Sequence, residues 1–170
     1  FDGSGWFSFR LSPVRILGVE YALITATNIN ARKTAEQSLA RQQIQFDKIV
    51  NSGSDIIHSV CPKGKILFVN KAWTKNMGYE RDEVIGEMLF DFIHPDNINH
   101  CLGAFAAALS AKPGAALEPT EMAFKTKSGE KLICEAIANP QYEDGKVSYV
   151  TGVYRDLTTR RRLELLNKER

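Results

Sequence analysis

Alternating apolar and polar positions divide the first third of the chain into two strands and a helix. Residues 6–12 alternate imperfectly and end at Pro13, which predicts a strand closed by a turn, and residues 19–27 predict a second strand. We expect the Asn30 side chain to cap a helix that continues to Val50 without glycine or proline. Its sparse apolar positions fit either a coiled-coil seam or one amphipathic helix packed on a sheet.

The central part of the chain predicts a hairpin followed by small helices. Residues 56–61 and 65–69 are short apolar strands joined by a Pro-Lys-Gly turn. Asn70 is expected to cap a short helix that ends at Gly78, and residues 80–85 predict another helical turn.

A longer helix and three strands complete the pattern. We expect Asp96 or Asn97 to cap the helix, whose apolar stripe recurs at helical spacing. The stripe consists of Ile98, Cys101, Leu102, Phe105, Ala108 and Leu109. Strands follow at 121–126, 131–138 and 147–154. The order of strand, strand, helices and three strands predicts an α+β fold.

Two segments of the chain resemble each other. With a shift of 128 positions, identical or similar residues coincide. The pairs are Val19 with Val147, Tyr21 with Tyr149, Asn28 with Asp156, Ile29 with Leu157, Asn30 with Thr158, Arg32 with Arg160 and Glu36 with Glu164. This is an internal repeat, in which the first 28 residues match the last two strands.

Composition excludes several classes of protein. The 170 residues are 44% hydrophobic and 25% charged with a net charge of +2, which is ordinary for a globular protein and unlike a nucleic-acid-binding protein. Without a long apolar run, we expect a cytoplasmic protein with no direct membrane contact. Cys61, Cys101 and Cys134 lack the spacing of a zinc site, which favours free thiols and no metal.

Several motifs in order resemble the PAS sensor domain with its trailing PAC segment, over roughly residues 46–162. They are GKILFVNKAW, the Gly78-Tyr79 pair, His94-Pro95-Asp96, KTKSGE, the Asp144-Gly145 turn and Asp156-Leu157-Thr158 before a basic run. The resemblance implies a five-stranded antiparallel sheet with helices on one face, flanked by signalling helices.

The resemblance and the repeat together predict a tandem arrangement. Residues 1–28 are expected to be the last two strands of a preceding PAS domain, residues 29–50 a linker helix, residues 51–157 a PAS domain, and residues 158–170 the start of an output linker helix. Two strands cannot bury a core alone, so we expect Trp6, Phe7 and Phe9 to pack on the downstream domain or on a second chain.

A hollow between sheet and helices is where such folds place small ligands. The expected ligand-binding residues are Trp73, Cys101, Phe105, Phe124 and Tyr154, with simple core packing as the alternative. Asn70, Asp156 and Thr158 are the expected signal-relay residues. The last strand runs through Asp156 into a new helix that Thr158 can cap.

Family members bind haem, flavin, small acids or nothing, and here we expect no cofactor. Flavin remains open although the cysteine of the light-sensing subgroup is absent, and haem is disfavoured because His100 lies about 200° around the helix from Ile98 and should face solvent. His58 fits a structural histidine with satisfied hydrogen bonds.

No constellation of catalytic groups occurs, so the segment is not expected to be an enzyme. The predicted function is that of a sensory and dimerisation module of a bacterial signalling protein, such as a sensor histidine kinase or diguanylate cyclase, acting through helical linkers on an output domain. The expected partners are a second copy, neighbouring PAS and output domains, and a small ligand. The alternative is a ligand-free dimerisation scaffold.

Overall fold

The computed structural model describes residues 5–158. The chain forms two compact units that divide between Ile49 and Val50. In the first unit, β1 (Phe7–Ile16) and β2 (Val19–Asn28) form an antiparallel hairpin, and α1 (Asn30–Asn51) begins after β2.

The predicted end of the first strand at Pro13 is wrong. β1 continues through Pro13, which lies opposite Ala22, and the turn comes at Leu17 and Gly18. Both turn residues have a positive φ, as a two-residue hairpin turn requires. Proline is tolerated because each strand of a two-stranded ribbon has one edge without a backbone partner.

The first hairpin is apolar and exposed. Trp6, Phe7 and Phe9 are each at least half exposed, and β1, β2 and α1 contain no buried residue. What covers these aromatic side chains therefore stays a prediction.

The second unit contains a five-stranded antiparallel sheet in the order β4, β3, β7, β6, β5. The strands are β3 (Ile56–Val60), β4 (Ile66–Val69), β5 (Thr120–Lys125), β6 (Lys131–Glu143) and β7 (Lys146–Asp156). The helices are α2 (Lys71–Met77), α3 (Arg81–Val84) and α4 (Ile98–Ser110), with 3₁₀ turns at Leu89–Phe92 and Pro95–Asn97. This confirms the predicted α+β architecture.

Alternation of buried residues along the strands fixes the inner face of the sheet. Positions 56, 58 and 60 of β3 and 150, 152 and 154 of β7 are buried, as are 132, 134 and 136 of β6. Side chains of a strand alternate between faces, so these residues share the face that packs against the helices.

Three local predictions need correction. β6 extends past Pro140, so the expected loop between the last two strands shrinks to the turn at Asp144 and Gly145. A register shift after Gln141 accommodates the longer strand.

Asn97 precedes α4, but its Oδ1 accepts from the Ala123 backbone N–H at 2.8 Å instead of capping the helix.

Leu102, placed in the apolar stripe of α4, is 44% exposed. The buried residues of α4 are Cys101 and Ala108, with Ala104 and Phe105 partly buried. The face of α4 toward the core is therefore rotated away from Leu102.

The hairpin of β1 and β2 and the hairpin of β6 and β7 end in the same pattern of hydrogen bonds. In the first hairpin the Ile29 N–H donates to the Trp6 carbonyl at 2.9 Å, and the Asn30 N–H donates to Asn28 Oδ1 at 2.9 Å. The Asn30 side chain accepts from the Trp6 N–H, so it joins β1 to the start of α1 and does not cap the helix as predicted.

The hairpin of β6 and β7 repeats these contacts. The Leu157 N–H donates to the Ile133 carbonyl at 2.8 Å, the Thr158 N–H to Asp156 Oδ1 at 2.7 Å, and the Ile133 N–H to Thr158 Oγ1 at 3.2 Å. Pro140 lies opposite Val150, as Pro13 does opposite Ala22. The sequence repeat thus corresponds to a repeated set of hydrogen bonds at the ends of β2 and β7.

Asn70 joins three elements around the start of α2. Its Oδ1 accepts from the N–H groups of Trp73 and Ile57, both at 3.0 Å. Its Nδ2 donates to the carbonyls of Val50 and Asp55, both at 2.9 Å. Because Asn70 is only 2% exposed, water cannot replace these four bonds.

We expect Asn70→Ala to lower the free energy of unfolding by about 2–4 kcal/mol, because it leaves buried donors and acceptors without partners. Asn76→Ala is the matched control, since Asn76 makes a single side-chain bond to the Ala72 carbonyl within α2. It should cost about 1 kcal/mol or less. Chemical denaturation measures both, and equal losses would contradict the assigned role of Asn70.

Candidate functional site

A cavity of about 490 Å³ lies between α4 and the inner face of the sheet. Small residues line both of its walls: Ala136, Ala138 and Gly152 on the sheet, and Gly103, Ala104, Ala107 and Ala108 on the helix. These small side chains leave space that larger ones at the same positions would fill. It falls within the size range of small-ligand pockets.

Three of the five predicted ligand-binding residues line the cavity: Cys101, Phe105 and Tyr154. Contrary to the expectation, Trp73 and Phe124 do not line it. Both are fully buried and meet edge to face with ring centroids 5.6 Å apart, so they are packing residues of the core.

His58 also lines the cavity, and the sequence did not single it out as a site residue. It is 1% exposed, and its ring stacks on Tyr154 with centroids 5.0 Å apart and an interplanar angle of 21°. Nε2 lies 3.5 Å from the Tyr154 hydroxyl. Among residues 5–158, Nδ1 has no hydrogen-bond partner, so the expectation of a fully satisfied histidine is wrong.

Burial without a counter-charge determines the ionisation of this pair. Desolvation lowers the pKa of His58 from 6.5 to about 3 and raises the pKa of Tyr154 far above its ordinary value. Both side chains are therefore neutral at pH 7. Neither side chain therefore places a charge at the cavity wall.

Gly152 makes room for the stacked rings. A Cβ atom at this position would lie 2.6 Å from the Tyr154 ring and 2.9 Å from His58 Cε1. Any larger residue would separate the two rings or shift β7. A glycine in the middle of a strand is the sequence signal of such a close approach.

The rim of the cavity is polar. His100 is exposed, as predicted, and its Nε2 lies 2.6 Å from Thr120 Oγ1 at the start of β5. His100 is thus engaged with a neighbouring hydroxyl group at the cavity mouth.

The two thiols near the cavity are protonated. Burial raises the pKa of Cys101 to about 11 and, with the Asp156 carboxylate, that of Cys134 to about 12. A thiol is a weak nucleophile until it ionises, so neither is activated for covalent chemistry. Within the described residues, no group of three or more His, Cys, Asp and Glu side chains is arranged to hold a metal ion.

The predicted relay residues lie away from the cavity. Asp156 and Thr158 form the junction after β7, and Asn70 lies at the start of α2. β7 connects the cavity to the junction at Asp156, because it contributes Gly152 and Tyr154 to the cavity and ends at Asp156.

The five-stranded antiparallel sheet and α4 enclose this cavity between them, which defines an α+β fold with a hollow between sheet and helix. A protein-family model, described as a PAS domain, matches residues 54–159. The chain belongs to the PAS domain family. No helix in the described part of the chain combines the length and apolar character needed to span a membrane.

Solved structures support the same fold. A PAS domain from Colwellia psychrerythraea is 22% identical with a TM-score of 0.61, covering 69% of this chain and 98% of that one. A sensory box histidine kinase/response regulator from Burkholderia thailandensis is 24% identical with a TM-score of 0.55, covering 74% and 92%. Drosophila melanogaster Cycle PAS-B with bound ethylene glycol is 14% identical with a TM-score of 0.51, covering 59% and 98%.

Among curated proteins, the human basic helix-loop-helix ARNT-like protein 2 is 45% identical over 38 residues. That stretch is 22% of this chain and spans only 6% of the human protein.

We expect Gly152→Ala to lower the free energy of unfolding by about 1–3 kcal/mol, because the new methyl group collides with the stacked rings. Gly103→Ala is the control: it lies on α4, also lines the cavity and has open space where the new methyl group would lie. It should stabilise by about 0.5–1 kcal/mol through helix propensity. Urea unfolding measures both, and a neutral Gly152→Ala would contradict the close approach.

His58 should make stability depend on pH. As the pH falls below about 6.5, the unfolded chain protonates His58, whereas the folded protein does not until about pH 3. Stability from this group is therefore complete above pH 6.5 and falls by up to about 1.4 kcal/mol per pH unit between pH 6 and 4.

The measurement is the free energy of unfolding from pH 7 to 4 for the wild type and for His58→Phe, which keeps an aromatic ring without a titrating group. The depressed pKa of the Glu83 carboxyl affects both proteins alike and cancels in the difference. We expect the variant to show the flatter profile. Parallel profiles would show that His58 is not held neutral.

Proposed function

We propose that this PAS domain is a sensory module of a cytoplasmic signalling protein and that its cavity binds a small, mainly apolar molecule. The observation that carries the proposal is the 490 Å³ cavity, whose lining includes Cys101, Phe105 and Tyr154. Its walls are mostly apolar, and binding there would bury apolar ligand surface. The site takes part in binding and not in catalysis.

The relay is proposed to run along β7. A ligand that displaces Tyr154 or Gly152 acts on the strand that ends at Asp156 and Thr158. There the side chains of both residues bond to backbone N–H groups that fix the direction in which the chain leaves the sheet. A change in that direction would shift the output linker helix, which we place at residues 158–170; residues 159–170 lie outside the described part.

The domain organisation is proposed to be tandem. The matching junctions after β2 and β7 support the view that residues 1–28 are the last two strands of a preceding PAS domain and that residues 29–50 are a linker helix. The exposed Trp6, Phe7 and Phe9 would then be covered by the rest of that domain or by a second copy. The histidine kinase among the structural neighbours supports a kinase as the class of output.

A ligand-free dimerisation scaffold is the second candidate. Two exposed apolar side chains of the second unit that do not line the cavity favour it: Leu67 on β4 is 49% exposed and Leu102 on α4 is 44% exposed. A contact between two copies that covers such side chains would not need the cavity. The two candidates differ in whether a small molecule occupies the cavity.

The experiment uses N-phenyl-1-naphthylamine, a neutral apolar dye whose fluorescence rises in apolar surroundings, together with native mass spectrometry of the purified protein. Ala104→Trp should fill part of the cavity and weaken dye binding about tenfold or more, because Ala104 lines it. Ala106→Trp, an exposed position on the same helix, should leave binding unchanged.

Equal binding by both variants, or no dye binding and no retained mass in the wild type, would favour the scaffold. Circular dichroism provides the control that both tryptophan variants are folded.

A further inference from the structure

Residues 111–119 connect α4 to β5 and line one side of the cavity. Leu117 and Glu118 of this connecting segment line the cavity, as does Ala138 of β6. A second hollow of about 420 Å³ lies between the same segment and β6, and Leu117, Ile137 and Ala138 line both hollows. The two hollows therefore adjoin along the edge of β6, beside the connecting segment.

β5 stops one backbone pair short of this place. It begins with Thr120 opposite Ala136. The same register continued by two residues would place Glu118 opposite Ala138. Glu118 belongs to the connecting segment and is not part of the strand. The edge of β6 at Ala138 is therefore open on the side away from β7.

The backbone groups of Ala138 point toward the connecting segment. In an antiparallel sheet, successive residues of a strand bond alternately to its two neighbours. On the β7 side the Ile133 carbonyl accepts from the Leu157 N–H, and on the β5 side the Glu130 carbonyl accepts from the Thr126 N–H. Even-numbered residues of this part of β6 thus bond away from β7, and Ala138 is one of them.

The pair opposite Ala138 is not formed. Within the described part of the chain, no backbone hydrogen bond joins residues 111–119 to β6. A separate peptide strand would gain little here, because Pro140, the next residue that faces this edge, has no N–H. The edge therefore suits a single added pair. As the residue before Pro119, Glu118 favours the extended backbone that such a pair requires.

Hydrogen bonds hold the connecting segment at its two ends. Tyr142 Oη donates to the Ala111 carbonyl at 2.7 Å at one end. His100 Nε2 lies 2.6 Å from Thr120 Oγ1 at the other end. Residues 116–119 make no hydrogen bond within the part of the chain that the structure describes. Such a segment can move toward β6 while α4 and β5 stay in place.

We propose that residues 111–119 form a flap at the mouth of the cavity and that the flap closes by adding Glu118 to β5, opposite Ala138. Each of these two residues then donates its N–H to the carbonyl of the other. Pro119 permits closure, because it comes to lie opposite Ile137 in a non-hydrogen-bonded pair, where no N–H is needed. The proposal rests on the proposed ligand-binding function of the cavity and adds how a ligand enters and is retained.

A disulfide bond across the closed flap tests the proposal. Pro119→Cys combined with Ile137→Cys places two thiols in a non-hydrogen-bonded pair, whose Cα atoms are about 4.5 Å apart when the flap is closed. A disulfide spans Cα distances of roughly 4.4–6.8 Å. The matched control is Glu121→Cys with Glu135→Cys, because these residues already lie opposite each other in the same strand pair and do not line the cavity.

The measurement is stopped-flow fluorescence of N-phenyl-1-naphthylamine with the full 170-residue chain. The oxidised flap variant should take up and release the dye about tenfold or more slowly than its reduced form, because a locked flap obstructs entry and exit alike. The oxidised control should exchange dye at the wild-type rate. Mass spectrometry of peptides identifies each disulfide and separates it from bonds to the three native cysteines.

A second measurement needs no variant. Amide hydrogen exchange, followed by NMR, should show the Ala138 N–H exchanging rapidly in the free protein and about tenfold or more slowly at saturating dye. The Ala136 N–H, already opposite Thr120, should change little. An Ala138 amide that dye leaves unprotected would overturn closure.

The remaining outcomes separate the flap from the function on which it rests. If the wild type binds dye but the flap disulfide fails to form while the control disulfide forms, or forms without slowing exchange, the cavity binds ligands and the flap is overturned. If the wild type binds no dye, the ligand-binding function is overturned. In that case formation of the flap disulfide would still support the closed position of Glu118, and its failure to form would overturn that position too.

Discussion

The stacking of His58 on Tyr154 beside Gly152 is the contact on which the site depends. It joins β3 to β7 across the centre of the sheet, and Gly152 permits it because no Cβ atom stands between the rings. The stacked pair also contacts the core, since the edge of Trp73 meets the His58 ring at a centroid distance of 5.4 Å. Cavity and core therefore share one boundary, made of aromatic rings that have little freedom to move.

The cavity is a second consequence of small residues at the same level of the fold. Ala138 lies opposite Gly152 and Ala136 opposite Tyr154, and Ala104 and Ala108 line the cavity from α4. Large residues at these positions would give a closed core and a more stable domain, because packing normally fills such a volume. An unfilled cavity costs stability, and this cost is the physical argument that the cavity has a function.

The sequence was sufficient for the architecture and insufficient for the details of the site. Strand alternation, the Asn70 cap and the glycine turns follow from local chemistry, so the element order and the sheet could be predicted. Trp73 and Phe124 were misplaced because the same aromatic pattern suits a core and a pocket wall. His58 was missed because its lack of a partner depends on Gly152 and Ala138, which lie on strands distant in sequence but adjacent in the sheet.

β7 lines the cavity and also ends at the junction with the following residues. Any signal that passes along β7 must therefore meet one condition. A ligand changes the direction of the chain after Asp156 only if it binds two arrangements of β7 with different affinity. Tyr154 is suited to distinguish them, because its hydroxyl is 3.5 Å from His58 Nε2, at the long limit of a hydrogen bond, and a small movement of β7 would shorten or break that contact. Two residues further on, the Asp156 carboxylate accepts from the Thr158 N–H at 2.7 Å, so in the proposed relay a shift of β7 would reach the junction through hydrogen-bonded backbone.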